Sequence, residues 1–299
     1  NKNIANISKI LWQIKKIKIF SENPYKNEII NFEDNGKNLF SILKNHNLIY
    51  QLRSDLKKNK FFKFKNNLNY RDLDKLNYNL VVICESKNEV SRKIFSKGFK
   101  KLYESVAFTT IIDHAKLLEN HTACQIFTSK GPIAFLPISS EKTSIVYSIK
   151  KSNLIDEEGI KKLILKLNPI YKIKKINKIS KVDLNSFNLR KYYKGNILAF
   201  GDLLHKIHPL AGQGFNMSLR DIRELIKIID NKIELGLPLD KSVCVEFQNK
   251  TRSKNFIFSE GIDFIYEFFN YETNFKRNFV DTIVKLVGKN KSVNKYLKK

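Results

Sequence analysis

The chain has 299 residues, 42% hydrophobic and 28% charged, which is globular composition with material for a large core and excludes wholesale disorder. Fifty-five Lys and Arg against 29 Asp and Glu leave a formal charge of +26, a balance suited to anionic lipid head groups or nucleic acid. No zinc-finger spacing, RNP-like segment or basic helix-turn-helix accompanies that charge, so nucleic acid is disfavoured as a partner and a peripheral membrane contact is the better expectation.

At the start, Ile4, Ile7, Ile10, Leu11 and Ile14 recur at helical spacing, and residues 1–18 read as the end of a helix. No signal-peptide core occurs there, and no apolar run is long enough to cross a bilayer. Ile17 to Phe20 and Glu28 to Phe32 predict a hairpin, with Asn23-Pro24 and Asn35-Gly36 as turn signals. Leu39 to Leu43 predicts a further strand, and His46 to Leu56 a helix carrying Leu48, Ile49, Leu52 and Leu56 on one face. Leu80 to Cys84 reads as a buried strand leading into Glu85-Ser86 and then Arg92. Strands follow at Ser105 to Ile112, Ala123 to Phe127, Ile133 to Leu136 and Ser144 to Ile149, with a hairpin turn at Ser129-Lys130-Gly131. Ile155 to Leu167 is helical in pattern and Lys174 to Leu189 mixed. Three scattered cysteines (Cys84, Cys124, Cys244), odd in number and without metal-ligand spacing, read as buried thiols of a reducing, cytoplasmic compartment.

The informative stretch runs from Gly195 to Asp221, GNILAFGDLLHKIHPLAGQGFNMSLRD. A buried strand (Ile197 to Phe200) ends at Gly201-Asp202, and a loop with Pro209 leads to Gly212-Gln213-Gly214. A helix is predicted from Asn216, since Ile222, Leu225, Ile226 and Ile229 fall on one side. Gly201 lets the chain turn and approach a ligand where a Cβ would obstruct. Asp202 offers two acceptor oxygens for polyol hydroxyls. Gly212 and Gly214 bare the backbone, so that Gln213 and Phe215 point N–H groups at an electron-rich ligand beside a positive helix terminus. His205 and His208 have a spacing that can suit a metal, but no Glu or Cys completes the set, and no metal is expected. After Leu237-Pro238-Leu239-Asp240, helices are predicted from Leu239 to Tyr271 and from Phe275 to Val287, with Phe256, Phe258, Phe264 and their aromatic neighbours as core. The last stretch, LVGKNKSVNKYLKK, is basic and partly apolar and suits a membrane or protein surface.

Gly201, Asp202, His205, Pro209, Gly212, Gln213, Gly214, Asn216 and Asp221 together resemble the second flavin motif of the group A FAD-dependent aromatic hydroxylases, closest to the ubiquinone-biosynthesis branch, with pattern GDAAH, spacer, P, GQG-x-N-x-G-x-x-D. Leu203 and Leu204 replace two alanines, and Ser218 a glycine. TACQIFTSKGPIAFLPI resembles the same branch, and Glu85-Ser86 stands where relatives carry Asp-Gly. The resemblance implies an α/β hydroxylase fold with an antiparallel substrate-binding sheet and C-terminal helices. Relatives open on a strand, a GxGxxG turn and a helix, and the sequence holds no such run, so the expected fold lacks the N-terminal dinucleotide-binding βαβ unit. The implied division is a partial FAD-binding domain (1–100 with 190–235), a substrate sheet (101–189) and a helical region (236–299).

The same resemblance implies that Asp202 holds the ribityl chain of FAD and that the segment from Gly212 to Gly214, with Phe215 and Asn216, faces the isoalloxazine. Arg53 and Glu85 are further candidates beside the cofactor, and Gln125, Phe127 and Phe135 candidates for the substrate pocket. The implied reaction is hydroxylation of a phenolic ring, a polyprenylphenol precursor of ubiquinone, using NAD(P)H and O2 through a flavin C4a-hydroperoxide. No side chain is assigned as acid or base. A hydrophobic substrate points to the inner face of the membrane and to a quinone-biosynthesis complex. Two alternatives stand beside this reading: a non-catalytic relative serving as assembly partner in such a complex, and a basic protein that binds membranes or nucleic acid.

Overall fold

The computed structural model describes residues 7–21, 28–65, 78–87, 89–207 and 213–272. Pro209, Gly212, the predicted helix from Phe275 to Val287 and the basic final stretch lie outside them. In chain order the strands are β1 (Leu11–Ile14), β2 (Lys16–Ser21), β3 (Glu28–Glu33), β4 (Phe40–Leu43), β5 (Val81–Ile83), β6 (Gly98–His114) and β7 (Thr122–Thr128). They continue as β8 (Gly131–Pro137), β9 (Lys142–Lys150), β10 (Ile173–Ile176), β11 (Ser180–Leu189), β12 (Tyr193–Lys194), β13 (Ile197–Ala199) and β14 (His205–Lys206). The helices are α1 (Asn45–Lys57), α2 (Glu89–Ile94), α3 (Glu157–Leu167), α4 (Gln213–Glu234) and α5 (Lys241–Glu272).

The chain divides into two compact units, one built from residues up to Lys63 with Glu104–Asp183, the other from Phe64–Tyr103 with Leu184–Tyr271. This differs from the expected boundaries. Residues 11–43 join the sheet unit because β2 pairs in parallel with β7 (Ile17↔Ala123, Ile19↔Gln125). The described part of the expected helical region (236–299) does not stand apart, because Val243, Cys244 and Phe247 of α5 share a core with Leu198 and Phe200.

In the first unit the sheet runs β6-β9-β8-β7-β2-β3, antiparallel apart from the β2–β7 pair, with β10 on β6. Alternation along β7, β8 and β9 sends Cys124, Ile126, Ile133, Phe135, Ile145, Tyr147 and Ile149 into one core, which α3 covers with Ile160, Ile164 and Leu167. Asp156 caps α3 by accepting from the Gly159 N–H at 2.9 Å, and Glu157 and Glu158 complement the helix dipole. Gly131 closes the β7–β8 hairpin at φ +141°, and a Cβ there would lie 2.0 Å from the Ser148 carbonyl oxygen. Of the predicted helix end at residues 1–18, residues 1–6 lie outside the described residues, and from Ile7 on the chain forms instead a short 3-10 turn (Ile7–Ile10) and two strands. β1 pairs with β4 (Leu11↔Leu43, Ile14↔Phe40), and the β-branched Ile residues suit the pleated, paired surface better than a helix. The predicted hairpin at β2–β3 is present, with Ile17 opposite Phe32.

The second unit holds the sheet β12-β13-β5, in which β13 and β5 are parallel, together with α2, α4 and most of α5. Its core gathers Ile83, Val90, Phe95, Leu198, Phe200, Leu204, Ile228 and Phe247.

Candidate cofactor site

Two parallel strands set the geometry. β5 and β13 run in register, Val81 beside Ile197 and Ile83 beside Ala199, so their carboxyl ends share one edge. The Phe200 N–H donates to the Ile83 carbonyl at 2.8 Å and holds that edge closed. In open α/β sheets the crevice outside the carboxyl ends of parallel strands is where ligands bind. Here the chain leaves β5 through Cys84-Glu85 and leaves β13 through Gly201-Asp202, which places Glu85 and Asp202 at the same edge.

Gly201 has φ +58°, and an added Cβ would meet nothing within 4 Å. Glycine is therefore demanded by the left-handed backbone, and the space beside it is open. The Asp202 carboxylate is exposed and has no hydrogen bond or ion pair among the described residues. Opposite it, the turn after β5 is closed from within. Ser91 Oγ donates to the Glu85 carbonyl at 2.5 Å, and Arg92 Nη2 donates to the Lys87 carbonyl at 2.6 Å. Ser86, standing at the family's glycine, does not take a positive φ, so it introduces no left-handed strain.

α4 begins at Gln213, three residues before the predicted start, so Gln213, Gly214, Phe215 and Asn216 form its first turn. The first four N–H groups of an α-helix lack intrahelical acceptors, and this turn contains no acidic side chain to occupy them. Phe215 and Asn216 are exposed, while Gly214 would tolerate a Cβ, with Ile207 at an ordinary 3.8 Å.

The turn and the helix are tied together by a pair for which the sequence reading had no role. His205 Nε2 donates to Asp221 Oδ2 at 2.6 Å, the two side chains 1% and 2% exposed. Asn255 of α5 donates to the same carboxylate at 3.1 and 3.2 Å. Tyr192 lies close by, its phenol pushed up to about 12 by burial and then by the Asp221 charge. His205 thus spends its Nε2 on Asp221, which fixes the segment after Asp202 against α4. Both residues fall on motif positions, so the signal was present in the sequence, but spacing alone does not reveal a contact across sixteen residues.

α5 continues this polar packing. Thr251, Asn255, Ser259 and Asp263, four residues apart, are buried, while Phe256 and Ile257 are exposed. Asn188 Nδ2 donates to Ser259 Oγ at 2.8 Å, and the Tyr103 hydroxyl donates to Asp263. The expectation that Phe256 belongs to the core is therefore corrected: hydrogen-bonding partners on β6, β11 and α4 turn the polar side of the helix inward. Phe256 instead meets Phe99 at 6.0 Å between ring centroids.

The remaining predicted residues lie in the first unit. Arg53 is exposed on α1. Gln125 and Phe127 share one face of β7, half-buried. Phe135, paired with Cys124 across the ladder, points to the other face and is fully buried near Tyr171. Strand alternation thus removes Phe135 from any pocket formed with Gln125 and Phe127.

Residues 80–234 match the family described as FAD binding domain (FAD_binding_3), just over half of the chain. Among curated relatives, 3-demethoxyubiquinol 3-hydroxylase of Escherichia coli K12 is 29% identical over 157 residues, covering 49% of this chain and 39% of the relative. Ubiquinone biosynthesis monooxygenase COQ6, mitochondrial, of Mus musculus is 27% identical over 164 residues, covering 42% of this chain and 34% of the relative. The matches thus span well under half the length of these relatives. The p-nitrophenol 4-monooxygenase PnpA of Pseudomonas putida DLL-E4 superposes with a TM-score of 0.76 at 11% identity, covering 99% of this chain and 83% of that one. PqsL of Pseudomonas aeruginosa, a probable FAD-dependent monooxygenase, gives a TM-score of 0.63 at 14% identity, covering 86% and 78%. The chain has the fold that these two monooxygenases share.

Proposed function

The chain belongs to the FAD binding domain family, and on that premise we propose that it carries the flavin site of an aromatic-ring monooxygenase acting on a polyprenylphenol precursor of ubiquinone. The observation that carries this reading is the shared edge of β5 and β13, where an unengaged Asp202 carboxylate, open space beside Gly201 and the turn carrying Glu85 meet inside the matched residues. The names of the two curated relatives support the substrate class.

The residues fit the cofactor. Asp202, acceptor-only when ionised, takes hydrogen bonds from the ribityl hydroxyls. The N–H groups of the first turn of α4, Gln213 to Asn216, which holds no acidic side chain, would favour electron density on a flavin ring seated beside them and so its reduced, anionic form. Glu85 offers a second acceptor from the neighbouring strand end. FAD, reduced by NAD(P)H, supplies the chemistry with O2. The protein's own share is to bind, orient and polarise, with the His205–Asp221 pair holding turn and helix in place.

Titration of the purified chain with FAD, read by quenching of flavin fluorescence, tests this. Asp202→Ala removes charge-assisted hydrogen bonds worth about 1.5–3 kcal/mol, so its Kd rises roughly 10- to 150-fold without loss of stability. Equal affinity in the two proteins overturns the assignment of Asp202. Absence of FAD binding by the parent chain supports the non-catalytic assembly partner instead.

A further inference from the structure

α1 is mounted with its polar side inward. Leu48 is buried, and the half-buried positions that share its side are Gln51, Ser54 and Asp55, where Gln51 Nε2 donates to Asp55 at 3.1 and 3.2 Å. Of the four apolar residues placed on one face, Leu48 turns inward, while Ile49, Leu52 and Leu56, spaced as one helical stripe, are 42%, 37% and 43% exposed. The turn that ends the helix adds Phe61 at 82% and Phe62 at 39%. That turn is ordered by Asn59, whose Oδ1 accepts from the Phe61 N–H at 2.9 Å and whose carbonyl accepts from the Phe62 N–H at 3.0 Å. Lys57, Lys58, Lys60 and Lys63, all exposed, flank Phe61 and Phe62 along the chain, and Lys60 Nζ lies 5.0 Å from the Phe61 centroid. The one acidic side chain between Asn45 and Lys63 is Asp55, and Lys58 Nζ lies 3.4 Å from it.

We propose that the exposed stripe of α1 and the Lys57–Lys63 turn form a docking surface for an anionic lipid bilayer. Charge complementarity selects the occupant. A solvent-facing apolar stripe that runs into an exposed, lysine-rich turn matches an interface in which alkyl and aromatic groups enter the acyl boundary while ammonium groups stay among phosphates. A nucleic acid is the poorer fit: Phe61 and Phe62 offer rings to a base, but the aliphatic stripe of Ile49, Leu52 and Leu56 gains nothing against a phosphate backbone and much in the acyl boundary. The surface lies wholly in the first unit and does not depend on the flavin reading.

The test is flotation of the full chain with vesicles of phosphatidylglycerol and phosphatidylcholine against vesicles of phosphatidylcholine alone, at low and high salt. Binding is expected to the anionic vesicles and to fall as salt rises. Lys60→Gln with Lys63→Gln weakens it about 25-fold, taking roughly fivefold per lysine. Phe61→Ser with Phe62→Ser, which leaves the charge unchanged, weakens it on the order of tenfold. Lys162→Gln with Lys166→Gln, an equal charge change on exposed positions of α3, leaves it within about twofold. Circular dichroism of each variant confirms the fold. Equal weakening by the α3 pair, no effect of the phenylalanine pair, or binding to an oligonucleotide but not to vesicles each overturns the proposal.

Discussion

Replacing His205 by Ala tests the strut that joins the candidate cofactor turn to α4. In the folded chain Asp221 is almost wholly enclosed, and its donors are His205 at 2.6 Å and Asn255 at 3.1 and 3.2 Å. Removing the imidazole leaves a buried carboxylate with one amide for company, a loss expected to cost about 3–5 kcal/mol. Asp221→Ala instead leaves an imidazole N–H unpaired, at about 1–3 kcal/mol. The double variant removes both polar groups and escapes part of each penalty, so the two losses fall short of adding by at least 1 kcal/mol, roughly. Urea unfolding followed by circular dichroism supplies all three values. Losses that add within about 0.5 kcal/mol refute the coupling, and with it the claim that this pair holds the turn to the helix.

Asp113 gives a pH signature. Asn177 Nδ2 donates to it at 3.1 Å and Lys142 Nζ lies 3.2 Å away; the Asn177 hydrogen bond first and then Lys142 hold its carboxyl below the usual carboxylate range. A folded pKa below the unfolded one stabilises the chain above about pH 4 and loses that contribution as pH falls through the folded value. Thermal melts of Asp113→Asn should therefore show a deficit at neutral pH that vanishes in strong acid; a constant deficit refutes this. Of the three free thiols, Cys84 is exposed while Cys124 and Cys244 are buried. A maleimide reagent should modify Cys84 first, and saturating FAD should slow that step if the edge beyond β5 receives the cofactor; an unchanged rate with FAD bound speaks against that placement.

Much of this architecture is written in short-range pattern. The alternation in β7, β8 and β9, the acidic start of α3 and the glycine-aspartate turn after β13 are local signals, and each element stands within a few residues of its prediction. The failures share a cause. The opening isoleucines fit a helical period as well as a strand, and pairing with β4 and β7 decides for the strand. On α5, Val243, Cys244 and Phe247 do face the core, but the assumption that the aromatic group from Phe256 on does so too picks the wrong side at Phe256. Which side faces in depends on what the neighbouring strands offer, and β6 and β11 offer Tyr103 and Asn188 to α5. Phe135 fails as a pocket residue for a simpler reason: it lies on the opposite side of the ladder from Gln125 and Phe127. Asp202 and Glu85 are brought to one edge, yet that follows only from the parallel pairing of two strands more than a hundred residues apart.

The inward rungs of α5 give that helix an address. Greasy packing tolerates a slide of one helical turn, because one branched side chain replaces another at small cost. Asn255, Ser259 and Asp263 differ in what they donate and accept, and each meets its own neighbour on another element: Asn255 meets Asp221, Ser259 meets Asn188, Asp263 meets Tyr103. Sliding by four residues would set a hydroxyl where an amide must serve a carboxylate and strand the Asp263 charge. The helix is thus seated like a notched key, and its one correct position also fixes the far end of the brace behind the strand edge.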